Sequence, residues 1–399
     1  MSERKLNNIL VTGGSGFIGS NFIRYLFKRA ASGQRDFEDC DFTGRVVNAD
    51  CLTYAGNGEN LDDIENEFGK SAGKSQRYFF EKVDICQRDQ IERILRQYEI
   101  DTIVHFAAES HVDRSILGPE AFVRTNIEGT FVLLDCAKQY WNVSLDNQRS
   151  DVLFHHISTD EVYGSLGSSG FFSEESKYDP HSPYSASKAA SDHLVSSYWH
   201  TYALPITLSN CSNNYGPYQF PEKLIPLMIL NMKQGKPLPV YGKGENVRDW
   251  IYVEDHNRAV WQIMKRGKTG EKYNIGGENE LKNIDLLKTL IDVVSAELSG
   301  KSCALDEKNP SWFSGKSKDE LKEKIASTIT YVKDRPGHDL RYAIDCSKIK
   351  KELGWQKKMT FEQGLALTVK WYMAHDEWTG RVLSGEYLTW IDKNYASRQ

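Results

Sequence analysis

The sequence predicts an α/β fold, a Rossmann-like doubly wound parallel sheet followed by a smaller C-terminal lobe. Over the first two-thirds of the chain, short runs rich in β-branched residues alternate with longer helical stretches. A glycine-rich turn directly follows the first of these runs and opens a helical stretch. The hydrophobic share of 40% and the charged share of 26% are ordinary for a globular protein with a sizeable core.

Six strands are predicted, at 8–12, 45–50, 78–84, 102–107, 152–159 and 206–210. Helical patterns lie between them, for example at 17–28, 88–98 and 120–140. This alternation favours parallel strands, because each crossover helix returns the chain to the same edge of the sheet. Near the C-terminus, Thr360 and Gln363 have the spacing of a capping box, which predicts an amphipathic helix from Phe361 onward.

The length of 399 residues allows two or three domains, or one large domain with an added lobe. We predict that 1–205 form mainly the sheet domain. The remainder, 206–399, forms mainly the second lobe, with some segments returning to the sheet domain. Two polar stretches interrupt the pattern. We predict an exposed loop at 31–44 and a charged, solvated or mobile insertion at 299–327.

Charge and composition exclude several classes of partner. The formal net charge is −5, whereas proteins that hold nucleic acid through its phosphates are usually basic, so nucleic acid is not an expected partner. We expect no membrane association, because the N-terminal residues lack a signal-peptide pattern and the apolar runs are too short to span a bilayer. The seven cysteines are scattered without a Cys-x-x-Cys pair. This predicts reduced thiols, a cytoplasmic location and no metal site.

The turn after the first strand has glycines at Gly13, Gly16 and Gly19. Such a turn lets the chain reverse sharply, lets the backbone approach a pyrophosphate, and lets helix and strand pack closely. The N-terminus of the following helix supplies N–H donors and the positive end of its dipole. The Gly-x-x-Gly-x-x-Gly spacing is typical of short-chain and extended short-chain dehydrogenases, and it predicts a dinucleotide site.

An acidic residue after the second strand commonly binds the adenine ribose. Asp50 fits this position, although it follows the glycines later than the usual spacing of about 20 residues. The insertion at 31–44 accounts for the delay. Because a carboxylate repels a ribose phosphate, NAD is favoured over NADP. Asp84 and Ala107–Ala108 follow the next strands and are candidates for the adenine and nicotinamide ribose sites.

Tyr184 and Lys188 are four residues apart on a predicted helix, so they share one face. An ammonium group beside the phenol, together with a cationic nicotinamide, is expected to lower the pKa of Tyr184. The phenolate can then take a proton from a substrate hydroxyl. The Tyr-x-x-x-Lys spacing often occurs by chance. Here it follows the glycine turn at the separation expected for a dinucleotide-dependent enzyme, so the two residues are a candidate catalytic pair.

Thr159, Asp160 and Glu161 end the fifth predicted strand. Ligands of open α/β sheets bind at the carboxyl ends of strands. A plain alcohol dehydrogenase needs only a Ser or Thr beside its Tyr. The adjacent Asp and Glu add a second acid/base pair of the kind that an elimination requires. An ordinary surface turn is the alternative for these two carboxyl groups taken alone.

With these motifs the chain resembles the dTDP-glucose 4,6-dehydratases, NAD-dependent members of the extended short-chain dehydrogenase/reductase family. The resemblance covers nearly the whole chain, including the segments 52–57, 106–115, 155–164, 182–195, 210–226, 241–256, 273–277 and 334–345. The Thr-Asp-Glu triplet differs from the Ser-Ala-type residues of related 4-epimerases and from the Thr-Ser-Glu of GDP-mannose dehydratases. Two departures are the long 31–44 stretch and Cys51, where the family often has Lys.

The resemblance implies dehydration of dTDP-glucose to dTDP-4-keto-6-deoxyglucose, a reaction of deoxysugar biosynthesis. Hydride passes from carbon 4 to NAD, water leaves across carbons 5 and 6, and hydride returns to carbon 6. Tyr184 is implied as the base for the 4-hydroxyl, with Lys188 holding the nicotinamide ribose and Thr159 hydrogen-bonding the same oxygen. Glu161 is implied to remove the hydrogen of carbon 5, and Asp160 to protonate the departing 6-hydroxyl.

The resemblance also implies two sets of binding residues, for NAD mainly in the sheet domain and for the nucleotide sugar mainly in the C-terminal lobe. The NAD set is Gly13, Gly16, Phe17, Ile18, Gly19, Asp50, Cys51, Leu52, Thr53, Asp84, Ile85, Phe106, Ala107, Ala108, Thr125, Tyr184, Lys188 and Asn214. The nucleotide-sugar set is Ser110, Thr159, Asn213, Lys223, Leu224, Pro239, Val240, Tyr241, Arg248, Asn283, Arg335, His338 and Tyr342. Arg248 and Arg335 suit a diphosphate, because a guanidinium matches its oxygens.

The family further implies a homodimer, formed through the helices predicted at 120–140 and 184–202. Two alternatives remain for the function. A nucleotide-sugar 4-epimerase is disfavoured by Asp160 and Glu161. A non-catalytic NAD-binding sensor or scaffold of the same fold usually loses the Tyr or the Lys, and both are present here.

Overall fold

The computed structural model describes residues 3–31, 37, 39–299 and 311–383. In chain order its strands are β1 (Asn8–Thr12), β2 (Arg45–Asp50), β3 (Tyr78–Lys82), β4 (Thr102–His105), β5 (Leu153–Thr159), β6 (Ile206–Cys211), β7 (Asn213–Tyr215), β8 (Leu238–Tyr241), β9 (Val247–Tyr252), β10 (Lys272–Ile275), β11 (Glu280–Lys282) and β12 (Ile329–Val332).

Its helices are α1 (Phe17–Leu26), α2 (Asp62–Phe68), α3 (Arg88–Gln97), α4 (Val112–Leu117), α5 (Glu120–Phe122), α6 (Thr130–Tyr140), α7 (Pro183–Tyr202), α8 (Leu224–Gln234), α9 (Val253–Arg266), α10 (Asn283–Ser299), α11 (Lys318–Ala326), α12 (Ser347–Leu353), α13 (Phe361–Ala374) and α14 (Asp376–Leu383). A π-helical turn, Val123–Gly129, joins α5 to α6. None of the described helices combines the length and the apolar character that crossing a membrane requires.

Seven strands form one parallel sheet in the order β10-β6-β5-β4-β1-β2-β3. The chain progresses outward from β1 in one direction through β2 and β3, and in the other through β4, β5, β6 and β10. The prediction of a Rossmann-like, doubly wound parallel sheet is confirmed. Six of its strands are the predicted ones, whereas the sequence pattern did not indicate β10. The carboxyl ends of all seven strands meet at one edge, which positions the site.

Helices cover both faces of this sheet, as its strands require. Along β1, Ile9 and Val11 pack into a core with α1, α9 and α12, while Leu10 packs into a second core with α3, α6 and α7. Strands buried on both faces read as continuous apolar runs, which is why they were visible in the sequence.

A third core fills the C-terminal lobe, where α8, α10, α11 and α13 pack around β8 and β9. The predicted capping box of α13 is confirmed, because Thr360 accepts from the backbone of Gln363 and Gln363 accepts from the backbone of Thr360.

The elements β6, α9, β10 and α12 lie after residue 205 and pack with the sheet. The division into 1–205 and 206–399 stays a prediction.

The two predicted insertions lie partly outside the described residues, at 32–36, 38 and 300–310. The described residues of 31–44 form a loop without helix or strand, as predicted, but this loop is only partly exposed. Phe37, Cys40 and Phe42 are at most 4% exposed, because their apolar side chains pack into the core with α1 and α9. In the second stretch, α11 begins with a capping box at Ser317 and buries Leu321.

Candidate active site

The glycine turn between β1 and α1 has room only for glycine at its two ends. Gly13 has a φ of +70°, and a Cβ there would lie 2.6 Å from the backbone N of Ala107. A Cβ on Gly19 would lie 2.3 Å from the carbonyl oxygen of Gly13. The turn therefore packs directly against the loop after β4, and the N-terminus of α1 opens onto a cavity.

Asp50, at the end of β2, is bonded to this turn. Its Oδ2 accepts from the backbone N–H of Ser15 at 3.0 Å, and its Oδ1 accepts from that of Leu52 at 2.8 Å. Burial raises the pKa of Asp50, and the two N–H groups oppose that rise. Leu52, a predicted NAD contact, is not among the described residues that line the cavity, and its N–H acts on the site through Asp50.

The cavity has a volume of about 360 Å³ and lies over the carboxyl ends of the central strands. Apart from Leu52, it brings together the whole predicted NAD set. These lining residues are Gly13, Gly16, Phe17, Ile18, Gly19, Asp50, Cys51, Thr53, Asp84, Ile85, Phe106, Ala107, Ala108, Thr125, Tyr184, Lys188 and Asn214. The NAD contacts that the resemblance implied are therefore neighbours in space.

Tyr184 and Lys188 reach the cavity from the first turns of α7. The helix begins at Pro183, and a capping box between Ser182 and Ser185 holds its N-terminus. Lys188 is buried, and its Nζ donates to the Ile157 carbonyl of β5 at 2.8 Å. Burial lowers the pKa of Lys188 to about 8. At neutral pH the side chain is therefore mainly an ammonium group, although a further fall of its pKa by one or two units would leave it largely neutral.

The pKa of Tyr184 does not follow the prediction for the protein by itself. Burial and the charge of Glu161 raise this pKa well above its ordinary value, and a hydrogen bond with Thr159 only opposes the rise. The predicted lowering is therefore not found in the protein by itself, because the cost of removing the phenolate from water dominates its pKa.

Thr159 is the last residue of β5, and Asp160 and Glu161 open the 3₁₀ turn that follows it, Asp160–Tyr163. Thr159 caps this turn, since its Oγ1 accepts from the backbone N–H of Glu161 at 3.3 Å. Asp160 is buried, and its Oδ2 has no hydrogen-bond partner within the described part of the chain.

The two carboxyl groups differ in their electrostatic surroundings. Burial, Glu161 and Asp249 raise the pKa of Asp160 well above its ordinary value. Burial also raises the pKa of Glu161, but the positive charges of Arg335, Arg248 and Lys223 oppose that rise. Asp160 therefore holds its proton more strongly than Glu161.

A second cavity, of about 190 Å³, lies between the sheet edge and the C-terminal lobe. Except for Thr159, which lines the first cavity, it brings together the predicted nucleotide-sugar set. These residues are Ser110, Asn213, Lys223, Leu224, Pro239, Val240, Tyr241, Arg248, Asn283, Arg335, His338 and Tyr342. Glu161 lines both cavities, so the acid/base pair lies where they meet.

Two guanidinium groups line the second cavity, along with several carboxyl groups. Arg248 is buried, its guanidinium stacks on the Tyr342 ring at 4.2 Å, and its Nη2 donates to the Asp339 carbonyl at 3.0 Å. The Nη1 of Arg335 lies 3.4 Å from Oδ1 of Asp113. Buried guanidinium groups with donors to spare suit an anion with several oxygens.

Sequence reasoning missed Glu222, which lines both cavities. Its Oε1 accepts from the Tyr54 hydroxyl at 3.2 Å, and its Oε2 lies 3.6 Å from Nε of Arg114. Burial raises the pKa of Glu222 to about 7. In the sequence, only its position directly before Lys223, a predicted nucleotide-sugar contact, could have indicated that Glu222 belongs to the site.

Sequence reasoning also missed Asn126, in the π-helical turn. Its Oδ1 accepts from the Glu109 N–H at 2.9 Å, and its Nδ2 donates to Ser187 Oγ at 2.8 Å. Asn126 thus ties the loop after β4 to α7. No pattern around this single Asn could have indicated that contact.

Comparisons with known proteins agree with this geometry. The family model described as GDP-mannose 4,6 dehydratase matches residues 10–368. A dTDP-glucose 4,6-dehydratase from Salmonella typhimurium is 50% identical over 400 residues, which cover 98% of this chain and 99% of that protein. The chain belongs to the dTDP-glucose 4,6-dehydratase family.

Solved structures place the family among related folds. The Streptomyces venezuelae member, crystallised with NAD, is 40% identical, with a TM-score of 0.75 over 94% of this chain and 99% of that chain. A UDP-glucose 4-epimerase from Thermotoga maritima is 26% identical, with a TM-score of 0.71 over 92% of this chain and 99% of that chain. The dehydratase family and the epimerase thus share a fold, and the sequence identity separates them.

Proposed function

We propose that this protein dehydrates dTDP-glucose to dTDP-4-keto-6-deoxyglucose with NAD as its cofactor. One observation carries the proposal. Asp160 and Glu161 form an acid/base pair at the junction of a cavity that fits a dinucleotide and a cavity that fits a nucleotide sugar. The relatives that match over almost the full chain are dTDP-glucose 4,6-dehydratases.

The first cavity fits NAD in shape and in chemistry. Its glycine turn lets the backbone approach a pyrophosphate, and α1 begins there without a side-chain cap. The Asp50 carboxylate at the end of β2 disfavours a ribose phosphate. The buried Oδ1 of Asn214 lines the cavity and has no partner among the described residues, so it can accept from an amide or hydroxyl group. When bound, NAD would take a hydride from carbon 4 of the sugar and return it to carbon 6.

Tyr184 would remove the proton of the sugar 4-hydroxyl. The positive charge of Lys188 favours the phenolate, and Thr159 holds the same oxygen. Because burial keeps the pKa of Tyr184 high, its deprotonation depends on nearby positive charge. A binding site that joins Lys188 to a cationic nicotinamide ring supplies that charge.

Glu161 and Asp160 would carry out the elimination. Once carbon 4 is a ketone, the hydrogen of carbon 5 is acidic, and Glu161 removes it. Asp160 protonates the 6-hydroxyl, so that it leaves as water. Their surroundings suit this division, since carboxyl neighbours keep Asp160 protonated and three cations favour ionised Glu161.

The nucleotide diphosphate would lie in the second cavity, with Arg248 and Arg335 as partners of its phosphate oxygens. We therefore assign NAD mainly to the sheet domain, 1–205, and the nucleotide sugar mainly to 206–399. A sugar between the two reaches Glu161, Asn213 and Lys223, which line both cavities.

The protein would act as a homodimer through the helical segment 120–140 and α7. Val123 and Phe131 on the first and Tyr202 on the second are 54%, 42% and 37% exposed, unusual values for large apolar side chains. Analytical ultracentrifugation tests this by comparing the oligomeric state of the wild type with that of a Val123→Glu, Phe131→Glu variant, and a wild-type monomer would contradict it.

The cytoplasmic location stays a prediction.

The alternative is a 4-epimerase, whose reaction includes no loss of water and so gives Asp160 and Glu161 no catalytic role. The decisive experiment incubates the purified protein, NAD and dTDP-glucose, and follows the mass of the nucleotide sugar. The proposal expects a product lighter by one water. An unchanged mass with inversion at carbon 4 would indicate an epimerase, and unaltered dTDP-glucose would favour a non-catalytic protein.

A further inference from the structure

A second buried charged residue, Asp192, follows Lys188 one turn later on α7. Tyr184, Lys188 and Asp192 have four-residue spacing and so share one helix face. Asp192 lines neither of the two cavities described above, and the proposed mechanism does not use it. Its side chain is 2% exposed. A carboxylate buried to this extent is costly unless specific partners stabilise its charge.

Three donors hold one oxygen of this carboxylate. Oδ2 of Asp192 accepts from Ser158 Oγ at 2.8 Å, from the Tyr178 hydroxyl at 2.9 Å and from Asn210 Nδ2 at 3.3 Å. Burial raises the pKa of Asp192, while these donors and Lys188 lower it. The donors come from β5, from β6 and from the segment before α7, so they favour a carboxylate anion at a defined position.

His156 lies between Asp192 and Lys188. Its Nε2 is 3.3 Å from Nζ of Lys188 and 3.3 Å from Oδ1 of Asp192. Burial and Lys188 lower the pKa of His156 well below its ordinary value, so the ring is neutral. As a neutral ring, His156 can accept from the Lys188 ammonium group through Nε2, so it lies between this group and the Asp192 carboxylate without adding charge of its own.

We propose that Asp192 is a positioning residue for the site: it is the buried counter-charge that, across His156, keeps Lys188 an ammonium group aimed at the Ile157 carbonyl. The inference rests on the proposed role of Lys188 and deepens it, because it names the group that maintains the lysine charge.

The other titratable groups around Lys188 cannot replace this charge. His105 on β4 is neutral, because burial lowers its pKa well below the ordinary value. Burial raises the pKa of Cys211 on β6 to about 12, so it is a neutral thiol. Tyr184, on the same helix, is a neutral phenol by the same reasoning.

Around Asp192, the facing groups are Tyr178, Tyr163 and Lys272. Burial raises the pKa of both tyrosines, so neither carries charge. Lys272 on β10 is a second cation that feels the charge of Asp192, and burial lowers its pKa. Asp192 therefore interacts with two lysines, of which only Lys188 is fully buried. Because the pKa of Lys188 is already close to neutral pH, loss of the Asp192 charge should affect the protonation of Lys188 most.

The direct test measures the charge of Lys188 in the apo protein. Asp192→Asn removes the negative charge and keeps the side-chain shape. NMR of ¹³Cε-labelled lysine gives the pKa of Lys188, with Lys188→Arg for assignment. We expect titration near pH 8 in the wild type. In the variant we expect it roughly one to two pH units lower, for loss of a unit charge on the far side of the His156 ring at an effective dielectric constant of about 20.

Asp192→Glu is the matched control, since it keeps the charge and should titrate near the wild type. Equal pKa values in the wild type and in Asp192→Asn overturn the inference. If that variant does not fold, Tyr178→Phe replaces it. This change removes one donor from the carboxylate and should lower the pKa of Lys188 by a smaller amount, and no shift there would also overturn the inference.

A second readout follows the absorbance of reduced cofactor after dTDP-glucose is added, between pH 6 and pH 9. Asp192→Asn should react within about twofold of the wild-type rate at pH 6, where at least about half of Lys188 is protonated in both proteins. At pH 8 it should be slower by roughly five- to fiftyfold, the ratio of protonated lysine that follows from a shift of one to two units. An equal loss at every pH would mean a merely structural role and overturn the inference. An inactive wild type whose Lys188 still titrates as expected would count against the proposed function alone.

Discussion

Nδ1 of His181 lies 2.5 Å from Oδ1 of Asp339 and joins the segment before α7 to the loop behind the second cavity. The other carboxylate oxygen of Asp339 accepts from the Tyr342 hydroxyl at 2.5 Å. Tyr342 in turn stacks on Arg248. The pair thus connects the helix that carries Tyr184 to the residues proposed to bind the diphosphate.

The contribution of this pair to stability should depend on pH. Asp339 raises the pKa of His181, so the stabilisation is fully present below the unfolded value of about 6.5 and is lost as pH rises through the higher folded value. The His181 side chain is 40% exposed, so we expect His181→Gln to lower the free energy of unfolding at pH 6 by less than about 1 kcal/mol. At pH 9 the variant and the wild type should unfold at similar urea concentrations. A loss of the same size at both pH values would contradict this.

Tyr184→Phe should abolish the first oxidation, with a loss of at least about a thousandfold in rate. The phenol would no longer take the proton of the 4-hydroxyl, while its ring would still pack. The measurement is the absorbance of reduced cofactor after dTDP-glucose is added. Calorimetry with the nucleotide sugar serves as the control, and we expect an affinity within a few-fold of the wild type. Near-normal turnover would show that Tyr184 is not the base.

The double variant Asp160→Asn, Glu161→Gln should reduce its bound cofactor and then stall. It keeps the shapes of both side chains but removes the proton transfers that the loss of water requires. We expect reduced cofactor to accumulate while the mass of the nucleotide sugar shows no loss of water. If no reduced cofactor forms, the carboxyl groups act before the elimination step.

Deuterium at carbon 4 of dTDP-glucose should appear on carbon 6 of the product. The proposed cycle removes it from carbon 4 and returns it to the carbon from which the hydroxyl has left, within one site. Carbon 5 should take its hydrogen from solvent, because a side-chain acid in exchange with water delivers it. NMR of the product made in ordinary water measures both positions. Deuterium washed out of carbon 6 would exclude this route.

Gly19→Ala should destabilise the glycine turn and reduce NAD retention during purification. The added Cβ would lie 2.3 Å from the Gly13 carbonyl oxygen and 2.8 Å from Cα of Gly14, so the turn must open. A strained insertion of this kind typically costs about 1–3 kcal/mol of folding stability. Gly58→Ala is the matched control, because nothing lies within 4 Å of its added Cβ. Equal NAD content in the two variants would contradict a tight fit at Gly19.

Much of the site was predictable because its residues end strands of one parallel sheet. Residues as distant as Gly13, Asp50 and Thr159 line one cavity, since the carboxyl ends of their strands share an edge. Glu222 and Asn126 were not predictable on the same reasoning. They follow no strand end in the pattern, and their roles arise from contacts with Tyr54, Arg114 and Ser187 that only folding creates.

The sequence by itself determined the parallel sheet, the glycine turn and the shared helix face of Tyr184 and Lys188. These features depend on residue spacing and on burial along a few consecutive positions, which local patterns record. Only the tertiary structure decided the protonation of the site. The pKa of Asp160 depends on Asp249, that of Glu161 on Arg335, and that of Lys188 on Asp192 and on burial beneath β5. Charges act through space over distances that sequence separation does not measure, so the different pKa shifts of Asp160 and Glu161 and the lowered pKa of Lys188 became visible only in the folded chain.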